Sequence, residues 1–170
     1  DSAGFVDRMD HFLSLADARD MKVMFVLFDD CWYGNAQLGT QPAPTPGLHN
    51  SYWLQSPRYS EVLDSSRYPH LERYVKGVLR AFGDDDRVAV WDLYNEPGNN
   101  HPAQESLVLV KAAFEWAWSV RPSQPLTVCV WKWRNADQQL VNNFVLANSD
   151  IVTFHNYGTL EQLRKDIANF

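Results

Sequence analysis

The sequence predicts an α/β fold in which helices wrap a parallel sheet, and three observations predict it. Four short, nearly unbroken apolar runs lie at residues 23–28, 88–94, 126–131 and 151–155. Each is too short for a typical helix and is bounded by polar residues, as buried strands are. Segments with apolar residues at three-and-four spacing lie between them, which is the period of an amphipathic helix. Hairpin signals between the strands are missing, so helical crossovers must join them, and such connections make the strands parallel and the crossovers right-handed.

Taken in order, Phe5, Met9, Phe12, Leu13 and Ala16 predict an inward helical face over residues 5–19. The run K-V-M-F-V-L-F then gives the first strand, with Asp29, Asp30, Cys31, Trp32 and Tyr33 at its exit. These two carboxylates either orient a ligand or cap the next loop. Residues 34–58 change to Gly, Pro, Asn, Gln and Ser. A loop of that length in a compact domain is usually functional, and Tyr52 and Trp53 within it argue for order and for a wall beside a cleft.

A short helical piece at 61–64 precedes the main helix, whose inward positions are Leu71, Tyr74, Val75, Val78, Leu79 and Phe82. Pro69 suits its first turn and Gly83 its end. The second strand, V-A-V-W-D-L-Y, delivers Asn95 and Glu96 and stops at Pro97-Gly98. Residues 104–120 predict a helix with Leu107, Val110, Phe114, Ala117 and Trp118 inward, and R-P-S-Q-P breaks it. The third strand ends at Trp131, Lys132 and Trp133; a helix over 136–147 follows; the fourth strand ends in His155, Asn156 and Tyr157; a helix over 160–168 completes the pattern. In parallel α/β sheets the chemistry gathers at the carboxyl ends of the strands, which here hold Asp29, Asp30, Trp32, Asn95, Glu96, Trp131, Trp133, His155 and Tyr157.

Composition narrows the chemistry. The 170 residues suffice for one domain with a real core. A net charge of −6 repels a polyphosphate backbone, so nucleic acid is not an expected partner. No apolar run approaches a membrane span. The chain begins D-S-A-G-F-V-D-R, with neither an initiator Met nor a signal-peptide pattern, and reads as a piece of a longer protein. Cys31 and Cys129 form neither a C-x-x-C pair nor a disulfide framework and are expected as free, half-buried thiols, which leaves the compartment open.

Phosphate-binding and dinucleotide glycine patterns, a G-x-S-x-G elbow, H-E-x-x-H and zinc spacings are all missing, so neither a cofactor nor a metal is expected. Aromatic residues make up 14% of the chain, enough to fill a core or to line a surface on which sugar rings stack. An acid, an amide and flat apolar side chains gathered at a strand exit suit acid catalysis at a glycosidic oxygen.

The stretch W-D-L-Y-N-E-P-G resembles the Asn-Glu-Pro motif that ends strand four in the clan of retaining glycoside hydrolases with (β/α)8 barrels, which includes cellulases, mannanases and xylanases. The resemblance implies that Glu96 is the acid/base and that Asn95 binds the sugar 2-hydroxyl. F-H-N-Y-G is similar to the strand-six motif, which implies that His155 and Tyr157 line the catalytic subsite. H-N-S-Y-W-L-Q-S-P is a weaker likeness to xylanase-like and cellulase-like members. Trp32, Trp53, Trp131 and Trp133 are the candidate stacking platforms, each equally readable as core. By motif, the four strands correspond to strands three to six, so the expected fold is a partial TIM barrel, a half barrel within a single domain over residues 1–170. The family also implies a secreted or periplasmic setting.

A complete barrel takes about 250 residues. The nucleophile of the retaining mechanism belongs to strand seven of the family, and no residue here matches it. An open half barrel leaves apolar edges at Val23 and Ile151, so a homodimer that completes a barrel is expected. The expected activity is hydrolysis of a β-linked polysaccharide or oligosaccharide. Its rival is a catalytically silent half barrel that oligomerises and at most binds sugar.

Overall fold

The structure, a computed structural model, describes residues 1–34, 39–132 and 135–169. Among them helices and strands alternate: α1 (Ser2–Asp17), β1 (Val23–Val26), α2 (Tyr59–Val62), α3 (Tyr68–Phe82), β2 (Val88–Asp92), α4 (Ala103–Val120), β3 (Leu126–Thr127), α5 (Gln139–Asn148) and α6 (Leu160–Ile167). The strands pair in the order β1-β2-β3, both pairs parallel. The fourth predicted strand is an extended segment that joins at a parallel bridge between Val130 and Phe154. There Val130 N–H donates to Thr153 O at 2.8 Å and His155 N–H to Val130 O at 3.0 Å. The fold is thus a partial (β/α) barrel with four parallel segments.

The ladder between the first two segments runs on past β1 and β2. Leu27 N–H donates to Asp92 O (2.9 Å), Asn95 N–H to Phe28 O (2.8 Å) and Asp30 N–H to Asn95 O (3.2 Å). This continuation holds the exits of both strands side by side and positions the site.

One face of the sheet is closed. Phe28, Trp91 and Leu93 are buried in one cluster with Leu71, Val75, Val78, Leu79 and Phe82 of α3 and Leu109, Val110, Ala113, Phe114 and Ala117 of α4. Fully burying a side chain of this size contributes about 1.5–3 kcal/mol, so this layer dominates stability. Phe25 stacks on Trp91 with ring centroids 5.8 Å apart.

The other face differs from the expectation of strands buried on both sides. Met24 and Val26 of β1 are each 42% exposed, while Phe25 between them turns toward the helices. Strand alternation sends Met24 and Val26 to the opposite side, where no helix layer lies among the described residues. Three side chains expected inward are also exposed, namely Phe5, Phe12 and Trp118. Phe12 makes a T-shaped contact with Phe25, and Trp118 leans on Phe114. Helix α4 instead buries Ser106, Leu109, Ala113 and Trp116 beside the expected Val110, Phe114 and Ala117. The short helix lies at Tyr59–Val62, slightly earlier than expected, and a 3-10 turn at Ser65–Arg67 leads into α3. Both thiols are free and fully buried rather than half-buried.

Candidate active site

The β1 and β2 exits build the first wall of a cleft. Asp29 Oδ1 accepts from Cys31 N–H (2.7 Å) and Asn95 Nδ2 (3.1 Å), and its Oδ2 accepts from the Trp53 indole (2.6 Å). Burial raises the Asp29 carboxyl above its ordinary value, and these donors only partly oppose it. Asp30 lies deeper and is fully buried. Its Oδ1 accepts from Tyr94 OH (2.7 Å) and Gln55 Nε2 (3.2 Å), and its Oδ2 from Gly98 N–H (2.6 Å) and Ser106 OH (2.7 Å). His101 Nε2 lies 3.0 Å from Oδ1. Burial pushes the Asp30 carboxyl up, yet His101 and the donors outweigh it and hold it below the usual range. The sequence left two roles open for this acidic pair. Asp29 orients Asn95 and Trp53, while Asp30 anchors the turn after Glu96.

That turn is strained. Glu96 has φ +44° and Gly98 φ +82°. A Cβ on Gly98 would lie 2.6 Å from Ala103 Cα, so only glycine fits there. A non-glycine residue in the left-handed region costs on the order of 1–3 kcal/mol and persists when its surroundings over-determine it. Here Glu96 N–H donates to Cys129 Sγ (3.1 Å), and the flanking Asn95 and Gly98 N–H groups are bonded as described.

The Glu96 side chain is buried, and its two oxygens face different partners. Oε1 lies 2.6 Å from His155 Nδ1, while Oε2 accepts from Cys31 Sγ (3.0 Å) and Asn99 Nδ2 (2.6 Å). Burial pushes the carboxyl up, but His155 and Cys31, with Asn99 adding, outweigh it and hold it below the ordinary value. The same hydrogen bond raises His155 above its usual range. Both shifts favour the charged forms, a carboxylate facing a protonated imidazole.

A cavity of about 530 Å³ opens against this pair and is lined by Cys31, Trp32, His49, Asn50, Trp53, Asn95, Glu96, Trp131, Lys132, His155 and Tyr157. It gathers Glu96, Asn95, His155, Tyr157, Trp32, Trp53 and Trp131 from four separate strand exits and a loop. Trp133 lies outside the described residues. Trp32 and Trp53 are exposed, so neither fills the core. The Trp131 indole donates to Pro97 O (2.9 Å), and its ring carries the Lys132 ammonium 4.1 Å from its centroid. A second cavity of about 550 Å³ shares Trp131, Lys132, His155 and Tyr157 and extends toward α6.

Sequence reasoning missed Cys31, His49, Asn50, Asn99 and Lys132 as parts of this site. Cys31 stands inside the strand exit Asp29–Tyr33 and Asn99 one residue past W-D-L-Y-N-E-P-G, but nothing in their spacing marked their side chains. Asp92, at the end of β2, was also missed. Its burial pushes the carboxyl up to about 7. No cluster of His, Cys, Asp and Glu able to hold a metal ion occurs among the described residues. The arrangement offers a proton-bearing pair, amide donors and flat apolar faces on one cavity.

Residues 2–167 match the family model for Cellulase (glycosyl hydrolase family 5). No curated relative matches the chain. The match spans every helix and strand named above, including the segments that carry Asn95, Glu96 and His155. With nearly the whole sequence covered and a partial barrel of parallel strands beneath it, the chain belongs to the cellulase family of glycosyl hydrolases, family 5.

Proposed function

We propose that this chain carries the acid/base half of a hydrolytic site for β-linked polysaccharide or oligosaccharide of the cellulase, xylanase or mannanase type. Glu96 is the proton donor to the glycosidic oxygen. Asn95, His155 and Tyr157 bind sugar hydroxyls, and Trp32, Trp53 and Trp131 are stacking platforms. The supporting observation is the buried Glu96 carboxyl on a cavity walled by these aromatics. General acid catalysis by a positioned group contributes about 10²–10⁴-fold.

Retaining hydrolysis also needs a second carboxylate about 5 Å away to attack the anomeric carbon. Among the described residues Glu96 is the sole carboxylate lining this cavity. Asp29 is close, but its oxygens already hold Cys31, Asn95 and Trp53. This supports assigning the four segments to strands three to six of the family's barrel, with the nucleophile on another strand. It also favours a second reading, in which the chain alone binds sugar without turning it over.

The test is reducing-sugar release from soluble β-glucan and xylan, together with calorimetric titration of the matching oligosaccharides. Glu96→Gln is expected to remove about 10²–10⁴-fold of any hydrolysis while leaving binding. Hydrolysis that survives this substitution overturns the assignment. Binding with no hydrolysis by the unmodified chain selects the silent reading. Met24, Val26, Ile151 and Val152 are exposed along the outer segments, which supports pairing of two chains about a two-fold axis. Light scattering is expected to give a dimer mass, and a monodisperse monomer removes this part of the proposal.

A further inference from the structure

The two oxygens of Glu96 are not equivalent. Oε2 receives the Cys31 thiol from the β1 exit and the Asn99 amide from three residues downstream, while Oε1 faces His155. A carboxylate oxygen has two lone-pair positions, so Oε2 is filled by these two donors. The donors are themselves cross-braced. Asn99 Nδ2 also donates to Cys31 Sγ at 2.9 Å, and Asn95 Nδ2 approaches the same sulfur at 3.7 Å. Turning the Asn99 amide over would set its oxygen against the carboxylate, so the network fixes its orientation.

Cys31 is suited to hydrogen bonding and not to acting as a nucleophile or metal ligand. Its side chain is 2% exposed, and burial, the bond to Glu96 and the nearby carboxylates push its pKa far above the ordinary thiol range. Nucleophilic and metal-binding cysteines act as thiolates. This one keeps its proton and points it at Glu96.

We propose that Cys31 and Asn99 are positioning residues that saturate Oε2, fix the plane of the Glu96 carboxyl, and direct its catalytic proton to Oε1, the oxygen shared with His155. This deepens the hydrolytic reading and rests on Glu96 as the acid. When Glu96 becomes protonated, the new O–H bond forms at Oε1. It can draw that proton from His155 Nδ1, which leaves a neutral imidazole, with no change in the proton count of the pair. Both donors favour the ionised carboxylate, so removing either makes Glu96 easier to protonate.

The experiment is a ¹³C NMR titration of the chain labelled at glutamate carboxyl carbons, with the Glu96 signal identified by its loss in Glu96→Gln. Cys31→Ala is expected to move the Glu96 midpoint to higher pH, and Cys31→Ser, which keeps a donor, to return it toward the unmodified value. Asn99→Ala alters a half-buried rim residue and is expected to give the same upward move; it decides the question if Cys31→Ala does not fold. Unchanged midpoints in the folded alanine variants overturn the proposal, as does a serine variant that titrates like the alanine one. The readout needs no turnover. Absent hydrolysis with shifted midpoints would count against the hydrolytic reading alone.

Discussion

The wall built by the β1 and β2 exits and the wall built by β3 and the fourth segment face the same cavity but are held in different ways. In the first, Asp29, Asp30, Cys31, Asn95 and Glu96 are all buried and cross-bonded between strands. In the second, Trp131 and His155 are half-buried and Tyr157 is 85% exposed. It reaches the first wall through His155 on Glu96 and the Trp131 indole on Pro97 O. The difference teaches that Glu96 is preorganised by strand pairing, while the aromatic surface opposite is loosely set. A long parallel ladder fixes side chains at its end, whereas an isolated bridge fixes little beyond its own backbone.

The largest expected effect comes from breaking the tight wall at its hub. Asp30→Ala leaves Tyr94 OH, Ser106 OH and Gly98 N–H without their acceptor. Disrupting a buried charged network of this kind costs about 3–5 kcal/mol. Urea denaturation would measure it, and a loss below about 1 kcal/mol would mean that the first wall does not depend on Asp30.

A smaller effect, of opposite sign, is expected at Asp92, whose charge is felt by His155 and which itself feels Asp29. Its carboxyl is raised to about 7 in the fold by burial. The folded chain thus holds this proton more tightly than the unfolded chain. That contribution is complete below the ordinary carboxylate range and is lost as pH rises toward 7. Asp92→Asn should therefore leave stability near pH 4 almost unchanged and raise it near pH 8, by less than the roughly 4 kcal/mol that a shift from 3.8 to about 7 sets as a ceiling. Denaturation at the two pH values checks the sign, and destabilisation at both would show that the carboxylate is needed in place.

The smallest stability effect belongs to the loose wall. Tyr157→Ala should change stability by no more than about 0.5 kcal/mol, as exposed substitutions do. It should weaken oligosaccharide binding several-fold through a lost ring contact worth about 1 kcal/mol. A large loss of stability would instead show that both walls are equally built in.

Much of this was legible in the sequence. The alternation of apolar runs with helical periods predicted the parallel arrangement, and the helix boundaries fall within a few residues of the observed ones. W-D-L-Y-N-E-P and F-H-N-Y-G marked Asn95, Glu96, His155 and Tyr157 because each motif ends a strand, where side chains of a parallel sheet converge. Phe5, Phe12 and Trp118 were misplaced because helical period reports a stripe but not whether a neighbour covers it. Met24 and Val26 were misplaced because an unbroken apolar run looks the same whether one face of the strand is covered or two.

Residue order alone determined the strand-helix alternation, the family of the chain and the acid at the centre of its cleft, since these depend on local period and on a contiguous motif. Only the folded arrangement decided that Asp30 is a hub, that Cys31 and Asn99 meet on one oxygen of Glu96, and that His155 meets the other. Those contacts join residues up to 76 positions apart, and their partners are chosen by strand register and burial, which no local pattern encodes.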